Sequence, residues 1–339
     1  MIHHRTLAGA AVGLLTAALG LPGVAVAGPR GDSVRLCALH PLPLPAEVTE
    51  GKAEAVDPAN RFIAGTGIRT TDGVREPMLL LWHGSRVTAL PTPLAQEVTG
   101  VNTAGVVVGN GFVDGTYRPW RYQDGQFTVL PVPGTVSNVW TAAINARGDI
   151  VGDGAVEATE SVLPLRWPAD RPGTVETIDP PANGGADAVL DDGSVVGTSV
   201  APGGPPDYAG WVRRPDGGIR WLTVPGKPRS WATAARGNWA AGGADDTPDE
   251  GDGTPHRWDL RTGTATPVHP AVGWQINGVT TSGVVLGNAA VGHGDQVTPL
   301  PGRGGSVGSL RGASIADDGT VVGWIAGGPF SSPVRWTGC

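Results

Sequence analysis

The nine residues Ile144-Asn145-Ala146-Arg147-Gly148-Asp149-Ile150-Val151-Gly152 decide how this chain folds. Apolar residues flank a polar turn, and the turn glycine supplies the positive φ that a tight hairpin demands. The phrase returns at 101–109, 189–197, 279–287 and 315–323, and degenerate copies end at Gly65 and Gly242. The closing glycines at 65, 109, 152, 197, 242, 287 and 323 are spaced by 44, 43, 45, 45, 45 and 36 residues. Such a fixed period marks a repeat architecture.

Working outward, Gly105, Gly148, Gly193, Gly283 and Gly319 fill the turn slot, with Asn238 expected there in the fifth copy and Asn60-Arg61 in the first. Asparagine tolerates left-handed backbone next best after glycine. Beyond each phrase comes a variable polar loop, then a strand ending in tryptophan: Trp82, Trp120, Trp167, Trp211, Trp258 and Trp336. Copy six lacks the tryptophan. A further turn and a strand ending near Leu-Pro or Ile-Asp-Pro complete the unit. Four short strands per repeat of about 44 residues describe one blade of a β-propeller. The residues before each copy's first apolar position are Ala55, Gly100, Ala143, Ala188, Thr233, Gly278 and Ser314, all small. Strands converging on a crowded axis require this. The fold expected is therefore all-β, a seven-bladed propeller of four-stranded antiparallel blades.

The seventh copy holds three strands, and its fourth is expected before the first copy, in residues 35–43. An N-terminal outer strand would thus pair with the C-terminal blade and close the ring, leaving no open edge. Matching this segment to 87–93 sets Cys339 against Ser85 and Cys37 against Thr88, on either side of a hairpin turn. The two cysteines are expected to form a disulfide there.

Residues 1–27 carry a short basic start, an apolar run and Ala25-Val26-Ala27, the pattern of a secretory signal. Residues 28–33 are then a flexible mature N-terminus and 34–339 a single propeller domain. The expected location is extracellular, with no membrane association after cleavage. The net charge of −7 and the absence of a basic stripe argue against nucleic acid.

The pattern resembles the bacterial extracellular proteins with HAF repeats, whose units couple an Ala-x-x-Ile/Val-Asn-x-x-Gly-x-Val-Val-Gly phrase to a Leu-Trp-x-x-Gly-x-x-x-x-Leu phrase. Residues 141–152 and 79–90 carry the two halves most clearly, and copies five and six depart from them. The resemblance implies an exported, propeller-like repeat protein and names no activity.

Signs of catalysis are sparse. No HExxH, nucleophile elbow or metal-ligand histidine spacing is present. The Asp-rich turns 191–194 and 317–320 read as hairpins. The loop holding Asp245, Asp246, Asp249 and Asp252 is a weak calcium candidate, with a solvated loop the simpler account. Arg30-Gly31-Asp32 imitates an adhesion tripeptide but sits in the flexible N-terminus. Trp140, Trp231 and Trp274 stand at connections leading into innermost strands, where they either wedge between blades or stack on a ligand. The reading is a secreted, non-enzymatic, cofactor-free binding or scaffold monomer. Its ligand, a cell-wall glycan, another polysaccharide or a protein, would meet those tryptophans and the loops at 110–118, 153–162, 198–208 and 243–255. The alternative is a polysaccharide hydrolase or lyase with an axial acid/base pair, for example Asp187 with a neighbouring arginine or histidine.

Overall fold

The computed structural model describes residues 37–179, 183–201, 203, 208–246, 253–302, 310–327 and 330–339. Residues 1–36, with the expected signal and the Arg30-Gly31-Asp32 tripeptide, lie outside the described residues. The described chain is a seven-bladed β-propeller of four-stranded antiparallel sheets. Blade 1 runs Val48–Val56, Phe62–Thr71, Val74–His83 and Arg86–Pro91, from the axis outward. Blades 2 to 7 open on inner strands Glu97–Val101, Val139–Ile144, Gly184–Val189, Arg229–Arg236, Ile276–Val279 and Leu310–Ile315. Each inner strand packs against the inner strands of both neighbouring blades, the seventh against the first, so the ring closes. Among the described residues no helix is long and apolar enough to cross a membrane.

One irregularity is common to all seven blades. Pairing of the first two strands slips between Ala53 and Ala55, Val98 and Gly100, Thr141 and Ala143, and Ala186 and Ala188. It slips likewise between Ala232 and Ala234, Ile276 and Gly278, and Gly312 and Ser314. Opposite every slip stands the closing glycine of the repeat. A Cβ on any of these seven glycines would lie 1.9–2.1 Å from a backbone carbonyl oxygen. At six of them the oxygen belongs to the bulged inner strand, which brings two backbones closer than a side chain allows, and at Gly287 it is Val272 O of the connection before that strand. The small residues beside the bulge have a second cause. A Cβ on Gly100 would meet Ile144 Cγ2 at 3.0 Å, and one on Gly278 would meet Ile315 Cγ2 at 2.9 Å. The next blade's inner strand fills the space.

Blade 5 departs from the expected register. Its strands pair out to Arg236 opposite Trp239, leaving the two-residue turn Gly237-Asn238. Gly237 carries the positive φ of 57°, and Asn238 does not hold the left-handed slot. Thr233 is accordingly the looped-out residue, and Ala234 is the counterpart of Ala55.

The tryptophans fall into two classes. Trp82, Trp167, Trp258 and Trp336, in blades 1, 3, 5 and 7, share one register opposite Ile63, Ile150, Ala240 and Val321. Their indole N–H groups donate to Pro43, Pro131, Thr223 and Pro301 carbonyls of the preceding blade, at 2.7–3.2 Å. Trp120 and Trp211, in blades 2 and 4, sit two residues earlier, directly opposite closing glycines Gly109 and Gly197. Both are fully buried, with unpartnered indole nitrogens. Blades 2 and 4 thus place their tryptophan in a different row from blades 1, 3, 5 and 7. Blade 6 has Gly292 where blade 1 has Trp82.

Ring closure follows the expected plan with a corrected register. The outer strand Ala38–Pro41 pairs antiparallel with Phe330–Thr337, Ala38 opposite Thr337 and Leu39 opposite Trp336. Since Trp82 faces Val87, Leu39 corresponds to Val87 and Cys37 to Ser85, three residues from the alignment that set Cys37 against Thr88. The Leu-x-Pro pattern recurs through 39–45 and fits in two frames, and backbone pairing selects the frame in which Leu42-Pro43 matches Leu90-Pro91. The disulfide Cys37–Cys339 bridges the gap, with Cα atoms 4.7 Å apart across 302 residues.

Candidate functional site

The bulge fixes a ring of equivalent positions toward one end of the inner strands. The residue after each closing glycine pairs across to this ring: Lys52 opposite Thr66, Glu97 opposite Asn110, Trp140 opposite Asp153. It continues with Gly185 opposite Thr198, Trp231 opposite Gly243 and Arg311 opposite Trp324. In blade 6 the counterpart is Gln275, which accepts from the Asn288 amide. These residues share the end where second and third strands turn, at 157–160 in blade 3; Trp140 and Trp231 lie within the inner strands there rather than in the connections expected to carry them, and only Trp274 stands in a connection.

Of the three predicted tryptophans, two meet. Trp231 and Trp274 form an edge-to-face pair with centroids 6.5 Å apart and planes at 83°. Trp231 is seated by two glycines: a Cβ on Gly243 would come 2.3 Å from its ring and one on Gly253 2.2 Å. Trp274 is 40% exposed, the outward wall of the pair. Asp245 Oδ1, buried beside the Trp231 ring, has no hydrogen-bond partner among the described residues. Trp140 is half-buried two blades away and donates to Asp153. Sequence reasoning missed Trp324, which carries Lys52 Nζ at 5.2 Å and Arg311 Cζ at 5.5 Å from its ring centroid, a double cation–π contact. The available signal was its place directly after a closing glycine.

The opposite arc is acidic. Inner strands leave amide N–H groups outside the ladder, and the preceding blade caps them. Thr141 N–H donates to Asn110 at 2.8 Å, Ala186 N–H to Asp153 at 2.7 Å, Ala232 N–H to Thr198 at 3.2 Å and Val98 N–H to Glu54 at 3.3 Å. Burial raises Glu54, Asp153 and Asp187 each to about 7, with Asp153 adding to the shift of Asp187. Burial, then Glu97, raises Tyr117 to about 12. Asp187 accepts from Thr198 and faces Asp153 rather than an arginine or histidine, so the expected acid/base pairing is a pair of carboxylates.

These values fix a pH dependence. The folded state holds protons on three carboxylates that the unfolded chain releases near pH 4. Between pH 4 and 7 the native state binds more protons, so stability is full below the unfolded value and falls as pH rises through about 7. Asp149 acts oppositely. Burial opposes its ionisation, but the Ala169 N–H, Asn145, Arg147 and Arg166 hold it at about 2, and its contribution is lost only below pH 4. Thermal unfolding should therefore show a higher Tm at pH 5 than at pH 8.5, and Asp187→Asn should flatten the slope. A stability that climbs steadily from pH 5 to 8.5 would contradict the assignment.

The far mouth of the channel is closed differently. An axial cavity of about 190 Å³ lies between the bulge level and the hairpin turns of the first two strands. Arg236 reaches over it from blade 5 to blade 7, donating to Ile315 O at 2.7 Å and pairing with Asp317 at 3.7 Å. This end is plugged by an ion pair.

Of the calcium candidates, Asp249 and Asp252 lie outside the described residues, as do 202 and 204–207 of the variable loops. Asp246 is paired with Lys227 at 2.7 Å. Among the described residues no group of three or more His, Cys, Asp or Glu is placed to hold a metal ion.

No family model matches the chain, and no curated protein matches it. Solved structures match the fold. The β-propeller domain of the Trilobed protease from Pyrococcus furiosus aligns with TM-score 0.59 at 8% identity, over 85% of this chain and 94% of that one. A puromycin hydrolase mutant in complex with PGG aligns with TM-score 0.55 at 15% identity, over 82% and 50%. The acylaminoacyl peptidase of Pyrococcus horikoshii aligns with TM-score 0.53 at 10% identity, over 86% and 52%. The chain spans about half the length of the latter two proteins. At these identities the likeness shows the propeller fold alone.

Proposed function

We propose that this is a secreted, non-enzymatic binding or scaffold protein that takes a glycan at the mouth bearing Trp231 and Trp274. The observation that carries the reading is the seated edge-to-face pair, one ring exposed, beside a buried carboxylate oxygen that has no hydrogen-bond partner among the described residues. A sugar ring offers apolar C–H faces to an indole and hydroxyl donors to such an acceptor. Trp140 lines the same ring of positions and would extend the surface. Export is supported by the disulfide, a bond kept in oxidising compartments, and by the apolar N-terminal pattern. Kinship with the HAF-repeat proteins is part of the same proposal.

Calorimetric titration against a panel of cell-wall and plant polysaccharides tests it. Trp274→Ala should weaken binding about tenfold or more while leaving the Tm within a degree or two, because the exposed ring supports no core. Undiminished binding by that variant would refute the assignment.

A second reading, a polysaccharide hydrolase or lyase, draws on the Asp153–Asp187 pair, whose raised pKa values suit a general acid. Product release from the same panel, abolished in Asp187→Asn, would favour it.

A further inference from the structure

We infer that the mouth selects acidic glycans, the carboxylates of uronic-acid residues being read by Arg311 and Lys52. The inference rests on the glycan-binding reading and adds its ligand class.

Four consecutive blades around the mouth present one chemistry. Trp231 comes from blade 5, Trp274 from blade 6, Arg311 and Trp324 from blade 7, and Lys52 from blade 1. Trp231, Arg311 and Lys52 hold the same register position, so their side chains leave the inner strands at one level. The Trp324 ring gathers both cations without using their N–H groups. A guanidinium stacked on an indole keeps its in-plane donors for a carboxylate, which it binds in a bidentate fork. No ion pair joins Arg311 or Lys52 to a carboxylate within 4 Å among the described residues. Arg311 is exposed, and Lys52 is half-buried, with Glu54, whose charge interacts with it, held largely protonated at pH 6 by burial.

Whole-molecule electrostatics do not produce this. The chain carries a net charge of −7 and repels polyanions at long range. Selectivity for an acidic chain must arise from the local arc, with the stacking rings at Trp231 and Trp274 fixing the sugar and the cations contacting its substituent. A purely acidic peptide such as polyglutamate offers the carboxylates but no ring face to set against an indole, whereas a uronic-acid chain carries both on every residue and so uses both halves of the arc.

The test compares a hexameric oligogalacturonate with its carboxyl-reduced, neutral counterpart, titrated at pH 6 and physiological ionic strength. The natural protein should bind the acidic oligomer about tenfold more tightly. The Lys52→Gln/Arg311→Gln double variant should bind the two oligomers equally, with neutral binding unchanged. Trp274→Ala should weaken both oligomers together. Equal binding of the two oligomers by the natural protein, or a preference that survives in the double variant, overturns the inference. In that case a common loss in Trp274→Ala would still uphold the glycan-binding reading. Polyglutamate of equal charge should not compete; competition at equal concentration overturns the glycan assignment in favour of an acidic protein ligand. Equal unfolding midpoints for the natural and double-variant proteins show that the fold is intact.

Discussion

Reduction of Cys37–Cys339 is expected to destabilise the propeller by on the order of 5 kcal/mol, the chain-entropy value for a loop of this length. The bond spans 302 residues, nearly the whole described chain. Without it, closure rests on the four paired residues Ala38–Pro41, a strand too short to hold alone. Further bracing comes from Trp82 N–H donating to Pro43 O at 2.7 Å and from His293 Nε2 contacting Cys339 O at 2.8 Å. Guanidinium unfolding with and without reductant measures the difference, and Cys37→Ser/Cys339→Ser should match the reduced protein. A midpoint change worth less than about 1 kcal/mol would mean that the strand pairing, not the crosslink, closes the ring.

Substitution of one closing glycine should be nearly as severe. In Gly109→Ala the new methyl would sit 2.1 Å from Glu97 O and 2.5 Å from Trp120 Cζ2. Neither neighbour has room to withdraw: one belongs to the bulged inner strand, the other is a fully buried indole. Either the bulge opens or the interblade tryptophan is expelled, and both disturb a packed interior, at about 4 kcal/mol or more. Gly134→Ala is the matched control, because nothing lies within 4 Å of its added Cβ; it should stay within about 0.5 kcal/mol. Similar midpoints for the two variants would show that the glycine row is a compositional accident.

The period of the glycines made the blade count and the all-β class legible before any coordinate, and the single cysteine pair marked where the ring is sewn. Local offsets were harder to read. A bulge inserts one residue without altering the apolar pattern, so Thr233 and Ala234 exchange roles unnoticed, and a two-residue turn moves positive φ from Asn238 to Gly237. Trp120 and Trp211 look equivalent to Trp82 in sequence, yet sit two residues away in the ladder, an offset that strand pairing fixes and the apolar pattern does not. The pairing of Trp231 with Trp274 was anticipated only as a shared face. The meeting of Lys52 with Arg311 and Trp324 was invisible, because two blades separated by more than 250 residues come together only when the seventh closes on the first.

The bulge has one more consequence. At six of the seven ring positions (Lys52, Glu97, Trp140, Gly185, Trp231 and Arg311) the bulge itself uses only the main-chain carbonyl, which lies against the closing glycine. The side chain plays no part in that contact, and its chemistry ranges from cation to anion to indole to nothing. Shape and specificity are therefore written in separate letters of the same repeat. A lineage, or an engineer, can rewrite what the mouth recognises one blade at a time without disturbing the bulge that sets the ring.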